Sequence, residues 1–135
     1  MSEENVETLK RGFEAVSRLD EEAFLEMADP GIEFRPRFQV MLGGEAAVYW
    51  GHDGVREAFR DLYGALDWIK PEIFEVRDLG NRIVALGRLS IKGKGSGAEA
   101  ESAAGWVVDL KNSKAVRVSE FLDRAEALDA AGLSE

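Results

Sequence analysis

Four strand patterns follow one another in the second half of the sequence, and they constrain the fold more than any other feature. They cover residues 72–79, 82–92, 98–110 and 114–122. The segments between them (80–81, 93–97 and 111–113) are short and rich in glycine, asparagine, serine and lysine, as hairpin turns are. Strands joined by such turns pair with their neighbours in the chain. This half is therefore predicted to form an antiparallel meander.

The first half has helical spacing instead. Apolar residues recur at intervals of three and four between Val6 and Leu19, which predicts a first helix over about 2–18. Asp20 is expected to cap a short second helix, which ends at the Asp29-Pro30-Gly31 segment.

Short strands and the strongest helix pattern are predicted next. The strand patterns cover 32–35, 39–41 and 47–50. An apolar stripe over 55–66 then predicts a long helix, with Asp53 as its N-cap.

Helices first and a meander afterwards predict the α+β class. We expect a curved mixed or antiparallel sheet, with the N-terminal helices packed on one of its faces. A short C-terminal helix over 124–131 follows, and Asp123 is expected to cap it. The whole chain, residues 1–135, is predicted to be one domain.

Composition excludes several classes of partner and chemistry. The net charge of −9 makes nucleic acid and anionic membranes unfavourable partners. There is no cysteine and only one histidine, so neither thiolate chemistry nor a histidine-based metal site is expected, and no cofactor is indicated. The sequence begins with acidic and polar residues and has no run of about 20 apolar residues, so a cytoplasmic location is expected.

The last strand pattern holds a carboxylate where a core residue is expected. Val116, Val118 and Leu122 share one face at a period of two residues, and Glu120 falls among them. One interpretation is a general acid or base in an apolar pocket, with its pKa raised by desolvation. The other is a buried carboxylate that forms an ion pair with Arg88.

Arg88 shares a strand face with Val84, Leu86 and Ser90, so it points into the pocket if that face lines it. There it would anchor a ligand, stabilise developing negative charge or pair with Glu120. The other residues predicted to line a pocket are Tyr49, Trp50, His52, Phe59, Ser90, Glu101, Gly105 and Val118. The structural alternatives are that the aromatic residues lie in the core or at its rim, that His52 forms a structural hydrogen bond and that Glu101 lies at a solvated strand end.

The pocket is expected between the sheet and the long helix, entered near residues 49–52. Its floor is predicted to be Val118, Glu120 and Leu122, with small residues at Ala103 and Gly105 leaving space opposite the carboxylate. A flat or cyclic hydrophobic molecule with one or two oxygens would suit such a site.

Two segments resemble the SnoaL-like, or polyketide-cyclase-like, branch of the NTF2-like superfamily. They are Tyr49-Trp50-Gly51-His52-Asp53-Gly54-Val55-Arg56 before the long helix, and residues 120–128 near the end. The order of elements agrees over nearly the whole chain. The resemblance implies the cone-shaped α+β fold of that superfamily. This fold hosts isomerases, cyclases, epoxide hydrolases, dehydratases and non-catalytic binding domains.

The catalytic patterns of the superfamily match this chain only in part. Ketosteroid-isomerase-like members have an aspartate near the end of the first strand and an acid in the penultimate strand. The first of these segments is 32–37 here, and its only acid, Glu33, faces away from the apolar side. The second is Ala104-Gly105-Trp106, which contains no acid. Limonene-epoxide-hydrolase-like members use Arg-x-Asp and a last-strand Asp, where this chain has Arg88-Leu89-Ser90 and Glu120. Cyclase-like members keep an acid on the last strand, and the resemblance assigns that role to Glu120.

Three functions therefore stay open at the level of the sequence. The first is a cofactor-independent enzyme in which Glu120 moves a proton and Arg88 stabilises negative charge. The second is a module that binds a small hydrophobic molecule without chemistry. The third is an interaction domain whose dimer surface matters more than its pocket.

A homodimer through the open sheet face is also predicted. Both faces of the predicted sheet carry apolar residues, and the chain has enough helix to cover one of them. The exposed patch is expected to contain Ile83, Leu89, Ile91, Trp106 and Phe121.

Overall fold

The computed structural model of the chain describes residues 2–133, which form five helices and six strands. The helices are α1 (Ser2–Ser17), α2 (Glu21–Met27), α3 (Phe38–Met41), α4 (Gly51–Ala65) and α5 (Arg124–Ala130). The strands are β1 (Ala28–Arg35), β2 (Tyr49–Trp50), β3 (Leu66–Asp78), β4 (Arg82–Gly93), β5 (Glu99–Lys111) and β6 (Lys114–Phe121). The predicted α+β class is confirmed.

All six strands belong to one open mixed sheet, in the order β2-β1-β6-β5-β4-β3. The four C-terminal strands form the predicted antiparallel meander. β1 pairs with β6 in parallel, and β2 pairs with the other edge of β1 in antiparallel orientation. The first strand of the chain therefore lies beside the last one.

The two faces of the sheet have different cover. On the inner face, α1, α2 and α4 pack over a continuous core that includes Leu9, Phe24 and Phe59. On the outer face, α5 packs its Ala127 and Leu128 in a smaller apolar cluster. Within residues 2–133, no helix is long and apolar enough to span a membrane.

β3 is longer than predicted. It begins at Leu66, directly after α4, and not at residue 72. The added part of the strand includes Pro71, which has no N–H to donate to a ladder. β3 is an edge strand that pairs with β4 alone, and edge strands tolerate proline.

The strand predicted over 39–41 is wrong, and that over 47–50 is reduced to Tyr49–Trp50. Residues 38–41 form the single-turn helix α3, which the buried side chain of Phe38 holds against the core. Gly43, at φ +88°, then takes the chain out of the turn in a conformation that favours glycine.

The segment around Gly51 begins α4 earlier than predicted. The helix starts at Gly51, so Asp53 lies in its first turn and is not its N-cap. There the Asp53 carboxylate is 3.1 Å from Arg56 Nη1 and complements the positive end of the helix dipole. Gly54 has a packing reason, because a Cβ atom there would lie 2.9 Å from the carbonyl carbon of Tyr49.

The apolar patch predicted on the open face is wrong in its composition. Ile83, Leu89, Ile91 and Trp106 are buried under the N-terminal helices, and Phe121 packs against the cluster under α5. The strand face assigned to solvent is thus the inner one. The homodimer itself stays a prediction.

Charged side chains cross the uncovered part of the outer face in one row. Glu33, Arg117, Asp109 and Arg82 are successive register partners on β1, β6, β5 and β4. Arg117 lies 3.3 Å from Glu33, and Arg82 Nε lies 2.6 Å from Asp109. Glu33, which is buried, also contacts Arg35. Alternating charges therefore occupy the open sheet face, which was predicted to carry an exposed apolar patch.

Gly87 gives a test of how closely β4 packs against β3. A Cβ atom there would lie 1.8 Å from the carbonyl oxygen of Glu72, which belongs to the backbone of the adjacent strand. Gly87→Ala is therefore expected to lower the free energy of unfolding by about 1–3 kcal/mol or more. The matched control is Gly64→Ala, on an exposed position of α4 with open space around it. Its expected effect is a gain of about 0.5–1 kcal/mol. Equal urea midpoints for the two variants would contradict the strand packing.

Candidate functional site

An apolar cavity of about 40 Å³ lies between the N-terminal helices and the inner face of the sheet. α1 contributes Leu9, Gly12 and Phe13, and α2 contributes Met27. The sheet contributes side chains from β1, β3, β5 and β6. Among the described residues that line the cavity, Glu120 is the only one with an ionisable side chain.

The carboxylate of Glu120 is held by two hydrogen bonds. The backbone N–H of Arg37 donates to Oε1 at 2.7 Å, and the indole N–H of Trp106 donates to Oε2 at 2.6 Å. Arg37 Nε also donates to the backbone carbonyl oxygen of Glu120 at 3.1 Å. Glu120 is 8% exposed, so these contacts replace most of its water.

A β-bulge places Trp106 opposite Glu120. Lys111 pairs with Lys114 at the turn, and a regular hairpin extended from that pair would put Gly105 opposite Glu120. The register shifts between Asp109 and Leu110, where Val116 has no partner in the ladder. Beyond this point every pair moves by one residue, and the large indole faces the carboxylate.

Burial raises the pKa of Glu120 above its ordinary value. The hydrogen bonds from Trp106 and from the Arg37 backbone, together with the positive charge of Arg37, act in the opposite direction. Desolvation is the largest of these effects, and the net pKa is raised. The site therefore favours a neutral carboxyl group more than water does.

Of the residues predicted to line a pocket, Val118 and Glu120 line this cavity. Phe59 is fully buried and packs its ring 5.4 Å from that of Phe24, without being part of the cavity wall. The cavity lies mainly under α1 and α2. α4, which was predicted to cover it, contributes only Leu62.

Arg88 is not the partner of Glu120, and this prediction is wrong. Its guanidinium lies 2.8 Å from Glu72 and 3.7 Å from Glu101, on the outer face of the sheet. Ser90, whose hydroxyl is 3.5 Å from Glu101, lies on the same face. The physical reason is that successive strand residues alternate, and the face with Val84 and Arg88 is the one that α5 partly covers.

Gly105 also lies on the outer face. A Cβ atom there would lie 2.4 Å from Cβ of Ala127, so α5 occupies the space that was expected for a ligand. Ala103 is the register partner of Arg88 and is likewise remote from the cavity. Gly105 thus accommodates the C-terminal helix.

Residues 49–52, where an entrance was predicted, are absent from the cavity wall. The Tyr49 hydroxyl donates to Asp61 at 2.6 Å and accepts from Gln39 at 2.8 Å. Burial is the largest cause that raises the pKa of Tyr49, and the hydrogen bond to Asp61 is the next. Trp50 is 62% exposed, and His52 Nε2 lies 3.0 Å from the carbonyl oxygen of Ala28. These residues tie α4 to neighbouring elements.

Sequence reasoning missed Arg37 and Trp106 as partners of Glu120. Trp106 shares a strand face with Val108 and Leu110, and that pattern alone could have placed it in the core beside the last strand. Arg37 has no comparable signal, because it reaches Glu120 from a loop 83 positions away in the chain. Among the described residues, no group of three or more histidine, cysteine, aspartate or glutamate residues could hold a metal ion.

The two donors predict how Glu120 variants differ in stability. Glu120→Ala leaves both Trp106 Nε1 and the Arg37 N–H without an acceptor, whereas Glu120→Gln retains one amide oxygen. Glu120→Ala is therefore expected to be less stable than Glu120→Gln by about 1–3 kcal/mol in urea unfolding. Equal stability of the two variants would show that the carboxylate is solvated.

The raised pKa of Glu120 predicts a dependence on pH. Between the ordinary carboxyl pKa and the raised folded value, the folded state keeps a proton that the unfolded chain has released. The free energy of unfolding contributed by Glu120 therefore falls as pH rises through this window. Urea unfolding across this range is expected to show wild type losing stability relative to Glu120→Gln. The control is Glu101→Gln, an exposed outer-face glutamate, for which the curve should parallel wild type. Parallel curves for wild type and Glu120→Gln would contradict the assignment.

Comparison with known proteins identifies the fold. The chain matches no known family profile and no functionally curated protein. It is similar to the structure of an NTF2-like protein of unknown function from Burkholderia pseudomallei K96243, with a TM-score of 0.76 and 24% identity over 93% of this chain and 95% of that one.

Two further solved structures have the same architecture. A putative SnoaL-like polyketide cyclase from Jannaschia sp. CCS1 has a TM-score of 0.73 and 18% identity, over 96% of this chain and 92% of that one. TerC, co-crystallised with polyporic acid, has a TM-score of 0.74 and 20% identity, over 96% and 97%. At these identities the likeness concerns the fold and not the activity. The chain therefore has the NTF2-like fold, which the resemblance in its sequence predicted.

Proposed function

We propose that the protein binds a compact apolar molecule with one polar oxygen in the cavity under α1 and α2, and that Glu120 exchanges a proton with that oxygen. The observation that carries this proposal is the position of Glu120. Of the described residues in the largely apolar wall, it alone has an ionisable side chain, and two donors fix its orientation. An oriented carboxyl group of raised pKa in an apolar cleft has the properties of a general acid or base.

The volume of the cavity limits the class of ligand. About 40 Å³ corresponds to roughly three water molecules, since one water needs about 10–15 Å³ by this measure. Pockets for drug-sized molecules run to about 300–1,000 Å³. A monocyclic ketone, lactone or epoxide is therefore a better candidate than a polycyclic molecule, because it exceeds the free volume by less and requires fewer side chains to move.

Two similar structures support a small organic ligand for a protein of this fold without specifying it. TerC was crystallised with polyporic acid, and the protein from Jannaschia is a putative polyketide cyclase. One of these proteins of the same fold was thus crystallised with a small organic molecule, and the other is described as an enzyme that acts on one.

Binding without chemistry is the second candidate, and one observation favours it. Among the described residues of the cavity wall, Thr8 has the only other side-chain oxygen that can form hydrogen bonds. That hydroxyl oxygen lies 3.0 Å from the carbonyl oxygen of Glu4 and 2.9 Å from that of Ser113. The wall thus offers Glu120 no second free polar group. A catalytic site commonly combines an acid or base with a group that stabilises charge.

A panel of cyclohexenone, γ-butyrolactone and cyclohexene oxide tests the proposal. Wild type is expected to show a thermal shift with at least one member, and product detected by NMR would indicate turnover. Glu120→Gln should retain binding and lose conversion, because the amide keeps the shape and has no proton to exchange. Glu101→Gln on the outer face is the control and should behave as wild type.

The outcomes separate the two candidates. Conversion that is unchanged in Glu120→Gln would contradict the acid/base role. Binding without conversion by wild type would establish the binding module, and no binding of any member would contradict a compact oxygenated ligand.

A further inference from the structure

A glycine in the middle of α1 lies directly under a methionine of α2. Gly12 is buried, and a Cβ atom placed on it would lie 2.4 Å from Cε of Met27 and 3.7 Å from its Sδ. Glycine inside a helix costs about 1 kcal/mol relative to alanine. Here the missing side chain leaves a notch in α1 that the end of the methionine occupies.

Both residues line the cavity. The terminal methyl group of Met27 therefore rests in the wall, and the notch at Gly12 decides how far it withdraws from the cavity. A side chain at Gly12 would displace the methyl group of Met27 into the cavity beside it. The volume of the site thus depends on the fit between these two residues.

The aromatic part of the wall is more rigid. Phe13 packs edge-on against Trp106 with ring centroids 4.8 Å apart, and the indole is hydrogen-bonded to Glu120. The ring of Phe24 packs against those of Phe34 and Phe59, with centroids 5.0 and 5.4 Å apart. Met27 is the one methionine among the lining residues, and its unbranched side chain repacks more easily than a fixed ring.

We propose that Met27, seated in the notch at Gly12, sets the size of the ligand that the cavity admits. Monocyclic molecules enter with a small displacement of the seated methionine, and bicyclic ones are excluded by it. This inference rests on the proposed function and deepens it, because it assigns ligand size to one pair of residues on α1 and α2. It does not involve proton exchange by Glu120.

Apolar probes without an oxygen test the inference separately from the chemistry. Benzene and naphthalene binding is measured by ligand-detected NMR and by thermal shift, with wild type, Gly12→Ala, Met27→Ala and the double variant. Wild type is expected to bind benzene and not naphthalene. Gly12→Ala should bind benzene about tenfold more weakly or worse, because the displaced methyl group enters the cavity.

Truncation of the methionine should have the opposite effect. Met27→Ala is expected to admit naphthalene, and the double variant should regain the benzene binding that Gly12→Ala loses. Gly64→Ala on α4 is the matched control, since it adds the same methyl group at an exposed helix position that does not line the cavity, and it should bind as wild type. If Met27→Ala does not fold by circular dichroism, Met27→Val replaces it in both backgrounds.

The outcomes distinguish this inference from the proposed function. Wild-type affinity for benzene in Gly12→Ala, or failure of the truncated variants to admit naphthalene, would overturn the role of Met27 and leave the proposed function standing. Benzene binding by Met27→Ala and not by wild type would support the role of Met27 and contradict a compact ligand in the native cavity. No binding by any variant would overturn the inference.

Discussion

The site depends on the cost of burying one carboxyl group and on the contacts that offset that cost. An ionised carboxylate without partners is strongly unfavourable in an apolar wall. Glu120 is tolerated there because Trp106 and Arg37 each direct an N–H group at one of its oxygens. These two donors come from β5 and from the loop after β1, so the carboxylate joins the meander to the N-terminal part of the chain.

The same strands serve two surfaces of different chemistry. On β4, Ala85 belongs to the core under α1, α2 and α4, and its neighbour Val84 belongs to the cluster under α5. The outer face continues beyond α5 as a row of alternating charges that includes Arg117 and Asp109. Among the described residues that line the cavity, Glu120 is the only one with an ionisable side chain, so the proposed chemistry rests on this residue.

The sequence was sufficient for the element types of the meander, the N-terminal helices, the α+β class and the likeness of fold. It was also sufficient to single out Glu120, because a carboxylate at an apolar strand position is a local signal. It was insufficient for the partners of Glu120. A regular hairpin from Lys111 and Lys114 places Gly105 opposite the carboxylate, and only the bulge at Val116 brings Trp106 there. The face of Arg88 was assigned wrongly for a different reason: period two identifies two faces without saying which one the helices cover.

The parallel pairing of β1 with β6 bears on how the protein folds. Arg37 and Glu120 are separated by 83 positions in the chain, and β1 has no neighbour on that side until the last strand is made. Contacts of such high sequence separation slow folding, because a long loop must close before they form. During synthesis, the N-terminal helices and β1 are complete while the residue that anchors the loop after β1 has not yet been translated. Assembly of the carboxylate site is therefore expected to be a late event in folding, coupled to the docking of β6.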